Sequence, residues 1–352
     1  MRKRTFLAGH KGLAGSAIYR RLKGDAGTEL IVADRETLDL RNQSAVMEFF
    51  KDNCFDEVIL AAAKVGGIQA NNTLRTDFLL ENLQIQTNVI ASAFQNNVTD
   101  LIFLGSSCIY PKKSECPIVE GALLTGPLES TNEPYAIAKI AGLKLCENIS
   151  QSHLDKNYIT LMPCNLYGLN DNYDLNLSHV FPAAITKIYL AKLLREGQIE
   201  RAFKTLVKTQ KINPPTSVDS VEDYLHNHGV SASHVNFWGT GRPQREFMSA
   251  DDLASAIQFI RSDYKKVKIS IAGTNYSLNC GSGLNVSISD LIKTVATICK
   301  YDGALRFNGD DLDGTPRKDL CSSLLNGLGW VPSTSIETGI EDVLRHMQGL
   351  NA

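Results

Sequence analysis

The sequence predicts an α/β protein whose main domain is a doubly wound parallel sheet. Short, continuous apolar runs alternate with segments of helical periodicity through the first half of the 352-residue chain. Strands without polar alternation are typical of a sheet that is covered by helices on both faces. A glycine-rich turn follows the first apolar run, as in dinucleotide-binding proteins, so the expected arrangement is Rossmann-like.

Each element of this first domain follows from its own stretch of residues. Apolar runs that end in glycine or polar residues predict strands at residues 5–8, 30–33, 57–63, 101–104 and 159–162. Apolar positions spaced three and four apart predict helices at residues 13–22, 44–50, 78–96 and 135–150. Because strands and helices alternate, the strands are expected to be parallel and joined by helical crossovers.

The regular alternation of predicted strands and helices stops after about residue 168, which indicates a second, smaller domain. Helices are predicted at residues 180–194, 251–260 and about 287–300, and residues 277–280 lead into the last of them through Gly281 and Gly283. The charged stretch 195–234 contains two helix-like pieces, at 198–211 and 218–227, on either side of Pro214 and Pro215. This stretch is predicted to be an insertion.

These observations predict two domains with an interleaved division of the chain. A dinucleotide-binding domain is expected at residues 1–168, with a returning segment at about 240–275. A smaller C-terminal substrate domain is expected at residues 169–239 and 276–352, including the insertion 195–234.

Composition and charge argue against several classes of protein. The 38 acidic and 36 basic residues leave a net charge of −2, so neither nucleic acid nor an anionic membrane surface is an expected partner. No apolar run approaches the roughly 20 residues that a membrane span needs, and glycines interrupt the N-terminus too early for a secretory signal. The eight cysteines are scattered without a CxxC pair, which indicates reduced thiols and no zinc site. We therefore expect a soluble, cytoplasmic protein without a metal.

The turn after the first strand has the spacing GxxGxxG and contains Gly9, Gly12 and Gly15. Glycine lets the backbone approach a pyrophosphate, and the helix that follows offers free N–H groups at its positive end. Asp34, just past the second strand, is placed to bond the adenosine ribose of NAD. Arg35 and Lys11 could instead bind the 2′-phosphate of NADP, and these two cations favour NADP.

Tyr135 and Lys139 form a YxxxK motif at the start of a helix, so their side chains share one face. A neighbouring ammonium is expected to lower the pKa of the tyrosine and prepare it to exchange a proton with a carbonyl or alcohol oxygen. Ser106 follows the preceding strand, where its hydroxyl could hydrogen-bond the same oxygen. Ligands of α/β sheets bind at such strand ends, so the three residues predict a reductase site.

Six sequence strings carry a resemblance to a known family, namely residues 8–16, 61–68, 104–111, 131–142, 163–168 and 245–247. On these strings the chain resembles the extended short-chain dehydrogenase/reductases and, within them, the GDP-L-fucose synthase family. The resemblance runs from about residue 5 to 340, apart from the charged middle stretch.

The resemblance implies a role for each matching residue. Ser106, Tyr135 and Lys139 would form the reductase triad, with Tyr135 protonating the C4 oxygen of a keto sugar. Cys108 and His179 would be the base and acid that invert C3 and C5, whose hydrogens are acidic beside the C4 ketone. Substrate-binding positions fall on Lys187, Trp238, Arg245 and Asp313.

The cofactor implied by the resemblance is NADP, in its reduced form NADPH. The positions implied to contact it are Gly9, Lys11, Gly12, Leu13, Ala14, Gly15, Arg35, Leu40, Ala61, Ala63, Leu104, Lys139, Pro163, Asn165, Leu166 and His179.

The implied activity is NADPH-dependent 3,5-epimerisation and 4-reduction of a GDP-4-keto-6-deoxy sugar, giving GDP-L-fucose. The resemblance also implies a homodimer.

The insertion 195–234 departs from the compact family pattern and is interpreted either as an exposed helical hairpin or as a substrate lid or oligomer contact. It leaves open an epimerase/reductase, or a C4-reductase alone, that acts on a GDP-6-deoxy-4-keto-heptose. A non-catalytic dinucleotide-sensing module is the remote alternative, and the complete triad disfavours it. His226 and His228 in the insertion lack the neighbours that a metal site needs.

Overall fold

The computed structural model describes residues 2–309 and 313–349. Its strands are β1 Lys3–Ala8, β2 Thr28–Ile31, β3 Glu57–Leu60, β4 Asp100–Leu104, β5 Asn157–Pro163, β6 Asn165–Tyr167, β7 His234–Phe237, β8 Gln244–Ser249, β9 Ser277–Cys280, β10 Asn285–Ser287, β11 Ala304–Phe307 and β12 Arg317–Lys318. Its helices are α1 Leu13–Leu22, α2 Gln43–Asn53, α3 Ile68–Thr73, α4 Arg75–Gln95, α5 Glu133–Ser152, α6 Val180–Arg195, α7 Ile199–Thr209, α8 Val221–Asn227, α9 Ala250–Ser262, α10 Tyr264–Ser270, α11 Ile288–Cys299, α12 Ser323–Leu328 and α13 Ile336–Gly349. None of the helices in this part of the chain is long and apolar enough to cross a membrane.

The chain divides into two compact units. The first contains Met1–Leu166, Glu246–Gly283 and Asp319–Ser333, and the second contains Tyr167–Arg245, Leu284–Lys318 and Thr334–Ala352. Each unit therefore uses three separate stretches of the chain, and the N-terminal half supplies most of the first.

A six-stranded sheet forms the centre of the first unit. Its order is β2-β1-β3-β4-β5-β9, and every neighbouring pair is parallel. The side chains of β3, β4 and β5 are buried throughout. The predicted doubly wound parallel sheet is confirmed.

Both faces of this sheet are covered, which explains why its strands are continuously apolar. Leu7 packs in one core with α1 and α9, whereas Phe6 and Ala8 pack in another with α2 and α4. In β3, Ile59 belongs to the first core and Val58 to the second. Successive side chains of a strand point to opposite faces, so a strand with helices on both sides has no polar face.

The unit boundaries differ from the predicted domain boundaries in four places. Residues 276–283 and 319–333 belong to the first unit, and residues 167–168 and 240–245 belong to the second. The reason is pairing with distant segments: β9 lies beside β5 in the large sheet, and Ile118 exchanges backbone hydrogen bonds with Asp319 and Cys321. In the second unit, Arg317–Lys318 pairs with Gln244 and Arg245. The end of the predicted substrate domain, 350–352, lies outside the described residues.

The second unit contains two short parallel pairings and a group of helices. Strands β7 and β11 pair in parallel, and β8 lies between β10 and β12. Helix α6 packs against α11, α13 and α7. The ring of Tyr167 stacks on that of Phe181 with 4.0 Å between centroids, which anchors the start of α6.

The insertion forms helices α7 and α8 and is fastened to the loop that precedes α6. The Gln210 side chain accepts a hydrogen bond from Leu175 N at 2.8 Å and donates to the Tyr173 carbonyl at 3.2 Å. The buried carboxylate of Asp174 accepts hydrogen bonds from the backbone N–H groups of Lys211 and Ile212, at 2.5 and 3.1 Å. Leu206 of α7 and Leu225 of α8 are buried, so one face of the predicted helical hairpin is packed inside the second unit.

A buried ion pair crosses the amino-terminal edge of the large sheet. Glu57, fully buried at the start of β3, accepts hydrogen bonds from Arg261 Nε at 2.8 Å and from the Tyr264 hydroxyl at 2.8 Å. Thr5 Oγ1 donates to the same carboxylate at 2.6 Å, and Lys3 Nζ lies 3.3 Å from it. The network joins α9 and α10 to the sheet.

We expect Arg261→Met to lower the free energy of unfolding by about 3 kcal/mol, because it leaves the Glu57 carboxylate buried without its main partner. Lys3 remains nearby, so the loss should lie at the lower end of the range for a broken buried pair. Denaturant unfolding measures the change, and the double variant Arg261→Met, Glu57→Gln should recover part of it. A loss of unfolding free energy below about 1 kcal/mol would contradict the description of Arg261 and Glu57 as a buried ion pair, because ion pairs exposed to water contribute no more than that.

Candidate active site

The glycine turn between β1 and α1 has no room for side chains. Gly9 has a φ of +88°, and a Cβ atom there would lie 2.6 Å from Ala62 N. A Cβ atom on Gly15 would lie 2.0 Å from the Gly9 carbonyl oxygen. Gly12 is the N-cap of α1, whose first turn has no side-chain cap and no acidic residue. The N–H groups at this helix end therefore fit the pyrophosphate of a dinucleotide.

Charged side chains lie beside this turn at the end of β2. Lys11 Nζ is 2.7 Å from Asp34 Oδ1, and His10 Nε2 is 3.3 Å from the same oxygen. The hydrogen bond from Lys11 holds the pKa of Asp34 below its usual value. The neighbouring Arg35 side chain is 68% exposed and 3.8 Å from Glu81. The Lys11 ammonium thus lies against the Asp34 carboxylate, and the next residue in the chain, Arg35, is a second, exposed cation.

The other predicted cofactor positions of the first unit, apart from Lys139, follow the carboxyl ends of its strands or begin α1. They are Leu13 and Ala14 in α1, Leu40 after β2, Ala61 and Ala63 after β3, Leu104 at the end of β4, and Pro163, Asn165 and Leu166 at and after the end of β5. Asn165 Nδ2 donates to the Glu246 carbonyl at 2.9 Å. The strands are parallel, so these positions share one edge of the sheet.

Four predicted catalytic residues come together at this same edge. Ser106 and Cys108 follow β4, and the Ser106 hydroxyl accepts a hydrogen bond from Cys108 N at 3.2 Å. Lys139, in α5, donates from Nζ to the Leu104 carbonyl at 2.7 Å and lies 5.8 Å from the centroid of the Tyr135 ring. The structure therefore brings the YxxxK motif against the end of β4.

The pKa of Tyr135 is shifted in the direction opposite to the predicted one. Burial raises this pKa, the charge on Cys108 raises it further, and a hydrogen bond with Ser106 opposes the shift. Burial also lowers the pKa of Lys139 to about 7. Removal from water disfavours the charged form of both groups, and spacing within a helix does not reveal that cost.

Asn132 contacts one of the predicted catalytic residues, and sequence analysis did not single it out. Its Nδ2 atom donates a hydrogen bond to Cys108 Sγ at 3.4 Å. The available signal was its position directly before Glu133 and Pro134, which is typical of a helix N-cap. Asn132 is the N-cap of α5, yet its side chain makes no capping hydrogen bond.

The remaining predicted residues lie in the second unit. His179 is the N-cap of α6. Lys187 Nζ donates to the Asn236 carbonyl at 3.0 Å, and burial lowers the pKa of Lys187 to about 8. The indole of Trp238, just after β7, is exposed. These positions belong to one unit.

Arg245 and Asp313 are both engaged by backbone groups of this unit. Arg245 Nη1 donates to the Thr315 carbonyl at 2.6 Å. The Asp313 carboxylate accepts hydrogen bonds from Thr240 N at 2.8 Å and from Thr240 Oγ1 at 2.5 Å, and these bonds lower its pKa. Asp313 therefore ties its loop to the turn after β7. Within residues 2–309 and 313–349, no group of three acidic, histidine or cysteine side chains could hold a metal ion.

Comparison with known proteins gives matches along the chain. The family model described as "NAD dependent epimerase/dehydratase family" matches residues 5–205. A GDP-L-fucose synthase from Sinorhizobium fredii is 42% identical over 338 residues, which cover 96% of this chain and 93% of the relative.

Solved structures match over nearly the whole length. A GDP-D-glycero-L-gluco-heptose synthase from Campylobacter jejuni, solved in the presence of NADPH, has a TM-score of 0.90 at 35% identity and covers 99% of this chain and 98% of its own. A GDP-mannoheptose C4 reductase from C. jejuni with NADP bound has a TM-score of 0.85 at 35% identity and the same coverage. Together with the glycine turn and the YxxxK motif at one sheet edge, these matches show that the chain belongs to the NAD dependent epimerase/dehydratase family, within the extended short-chain dehydrogenase/reductases.

Proposed function

We propose that this protein is an NADPH-dependent enzyme that inverts C3 and C5 and reduces C4 of a GDP-linked 4-keto-6-deoxy sugar, with GDP-L-fucose as the product. The observation that carries the proposal is the meeting of the YxxxK motif with the end of β4, where Lys139 Nζ donates to the Leu104 carbonyl at 2.7 Å and Ser106 and Cys108 follow. One bound sugar could then meet a base for carbon acids and a proton donor for the ketone. The relatives named as GDP-L-fucose synthases support the same activity.

For reduction, Tyr135 would donate its hydroxyl proton to the C4 oxygen, and Ser106 would hydrogen-bond the same oxygen. When bound, NADPH would supply the hydride that C4 receives. The phenolate that remains on Tyr135 would be stabilised by the Lys139 ammonium, whose position is held by the Leu104 carbonyl. The raised pKa of Tyr135 keeps the phenol protonated until the C4 oxygen takes its proton.

For epimerisation, the hydrogens on C3 and C5 are acidic because each carbon adjoins the C4 ketone. We assign Cys108 as the base that removes a proton from one ring face and His179 as the acid that returns one to the other face. Each inversion thus removes one proton and adds one, and it precedes reduction because it needs the ketone. In the second unit, Lys187 and Arg245 would bind the diphosphate, Trp238 would cover a ring, and Asp313 would contribute through its loop.

The glycine turn fits a dinucleotide, and we propose that it is NADP. The turn formed by Gly9, Gly12 and Gly15 would hold the pyrophosphate, and Lys11 and Arg35 would pair with the 2′-phosphate. The chain already pairs Asp34 with Lys11, which weakens the carboxylate as a ribose ligand.

We expect Arg35→Ala to lower the ratio of kcat/KM for NADPH over NADH about tenfold, because a charge-assisted hydrogen bond to the phosphate is lost. The NADPH dissociation constant, measured by fluorescence titration, should rise by a similar factor while that for NADH stays constant. Lys51→Ala, which removes an exposed cation on α2, is the matched control. A wild-type ratio below one would contradict the assignment of NADP.

A GDP-6-deoxy-4-keto-heptose is the second candidate substrate, and two observations favour it. The insertion α7–α8 is fastened to the loop before α6 through Gln210 and Asp174, and two solved structures similar to this chain are named as heptose enzymes. The reaction could then be epimerisation with reduction, or reduction alone.

We also propose a homodimer in the cytoplasm. The eight free cysteines support a reducing compartment.

Incubation with GDP-4-keto-6-deoxy-mannose and NADPH in deuterated water tests the proposal. We expect GDP-fucose that carries deuterium at C3 and C5, as read by NMR. Reduced but unlabelled product would limit the enzyme to C4 reduction. Turnover of only the corresponding heptose substrate in a parallel reaction would replace the hexose in the proposal.

A further inference from the structure

Asn132 makes a contact that the folding of α5 does not require. An asparagine at the N-cap usually accepts a hydrogen bond from a backbone N–H in the first turn, which stabilises the helix. Asn132 makes no such bond, although its carbonyl accepts from Ala136 N at 3.0 Å to begin the helix. Its side chain donates to Cys108 Sγ instead, at 3.4 Å.

This orientation leaves the other end of the amide unsatisfied. Asn132 Oδ1 is buried and has no hydrogen-bond partner among the residues that the structure describes. A buried oxygen without a hydrogen-bond partner destabilises the folded protein, and such groups in a native structure often mark a functional constraint. The Asn132 side chain therefore neither caps α5 nor contacts water through its oxygen, and its hydrogen bond is to the Cys108 thiol.

The turn before α5 holds Asn132 in this position. The Glu129 carboxylate accepts hydrogen bonds from Thr131 N at 2.9 Å and from Asn132 N at 3.3 Å, and it also bonds the Thr131 hydroxyl. Although burial alone would raise the pKa of Glu129, these bonds and Lys112 lower it, so the carboxylate is charged. The backbone of Asn132 is thus fixed from the N-terminal side as well as by the helix.

We propose that Asn132 is a positioning residue for Cys108. The side-chain N–H of Asn132 orients the Sγ atom of Cys108 and stabilises it as a thiolate. The inference rests on the proposed function, in which Cys108 is a base. An amide N–H can only donate to sulfur, so the contact favours the thiolate, which accepts, over the thiol, which also needs an acceptor. Tyr135 is the titratable group whose pKa responds to Cys108, and a negative Sγ keeps its phenol protonated.

The reactivity of Cys108 toward iodoacetamide tests this inference without any substrate, because only the thiolate reacts. We expect Asn132→Ala to slow alkylation of Cys108 at neutral pH about fivefold, the factor that corresponds to a hydrogen bond of about 1 kcal/mol. Asn132→Asp, which keeps the shape and the N-cap preference but removes the donor and adds a charge, should slow it further. Mass spectrometry of the Cys108 peptide measures the rate.

Two controls separate positioning from a loss of structure. Asn148→Ala, an exposed asparagine of the same helix, should leave the rate unchanged. Buried Cys146, also in α5, reports on the helix itself: faster alkylation of Cys146 together with the change at Cys108 would indicate loosening and overturn the inference. Retention of the Cys108 rate within about twofold in both Asn132 variants would overturn it as well.

A kinetic experiment shows whether the contact serves the proposed reaction. Deuterium exchange at C3 and C5 should fall in Asn132→Ala by the same factor as alkylation, with KM unchanged. In one outcome, the wild type exchanges no C3 or C5 proton of any keto sugar while Asn132→Ala still slows alkylation of Cys108. That pair of results would support the contact and refute the proposed function. Normal alkylation in an active variant would refute only the role of Asn132.

Discussion

Tyr135→Phe is expected to lower kcat for C4 reduction by about 100- to 10,000-fold, the contribution that a positioned general acid usually makes. The phenol is the group placed to deliver a proton, since Ser106 hydrogen-bonds it and Lys139 lies 5.8 Å from its ring centroid. Removing the hydroxyl leaves the ring and its edge contact with Phe78, at 6.4 Å between centroids, so folding should be preserved. Consumption of NADPH measures the rate.

This substitution should leave proton exchange intact. Cys108 is a separate group, so Tyr135→Phe should still incorporate deuterium at C3 and C5 of the unreduced keto sugar. Tyr276→Phe, at a half-buried tyrosine just before β9, is the control and should reduce at the wild-type rate. A Tyr135→Phe enzyme that kept most of its reductase activity would remove the phenol from the reaction.

Cys108→Ala is expected to lower deuterium exchange at C3 and C5 by about 100- to 10,000-fold, because it removes the proposed base. Reduction should continue, since Ser106, Tyr135 and Lys139 remain, and the product should then keep the configuration of the substrate at both carbons. NMR of the product in deuterated water measures both effects. The loss of the thiol should also allow the pKa of Tyr135 to fall, because the charge on Cys108 raises it.

The control for this substitution is Cys54→Ala, which removes an exposed thiol at the end of α2. It should affect neither exchange nor reduction. Undiminished exchange in Cys108→Ala would exclude the thiol as the base. A loss of both activities, with the Cys54 variant normal, would show that Cys108 also supports reduction.

Apolar patterning was sufficient to predict the first five strands of the large sheet and the helices α1, α2, α4 and α5 between them, whereas the short helix α3 was not predicted. A strand covered on both faces needs apolar side chains on both, so its composition reveals its burial. The helix predicted at residues 13–22 has the observed bounds of α1. The strand predicted at 57–63 ends at Leu60, because residues 61–63 leave the sheet at the edge where the site lies.

The sixth strand shows where local patterning was insufficient. β9 carries Ser277 and Asn279, two polar residues in a four-residue strand that is fully buried. Asn279 is satisfied by distant partners: Tyr110 OH donates to its Oδ1 at 2.6 Å, and its Nδ2 donates to the Ile118 carbonyl at 2.8 Å. The membership of β9 in the sheet therefore depends on residues about half the chain away, which no local window contains.

The sequence by itself determined the fold class, the glycine turn, the YxxxK motif and the position of Ser106 at a strand end. Each depends on spacing within one short segment, and topology then brings the ends of parallel strands to one edge. Tertiary structure alone decided the direction of the pKa shift of Tyr135 and the contact between Asn132 and Cys108, which are 24 residues apart. Desolvation and long-range pairing are properties of the packed surroundings, so residue spacing does not encode them in any one segment.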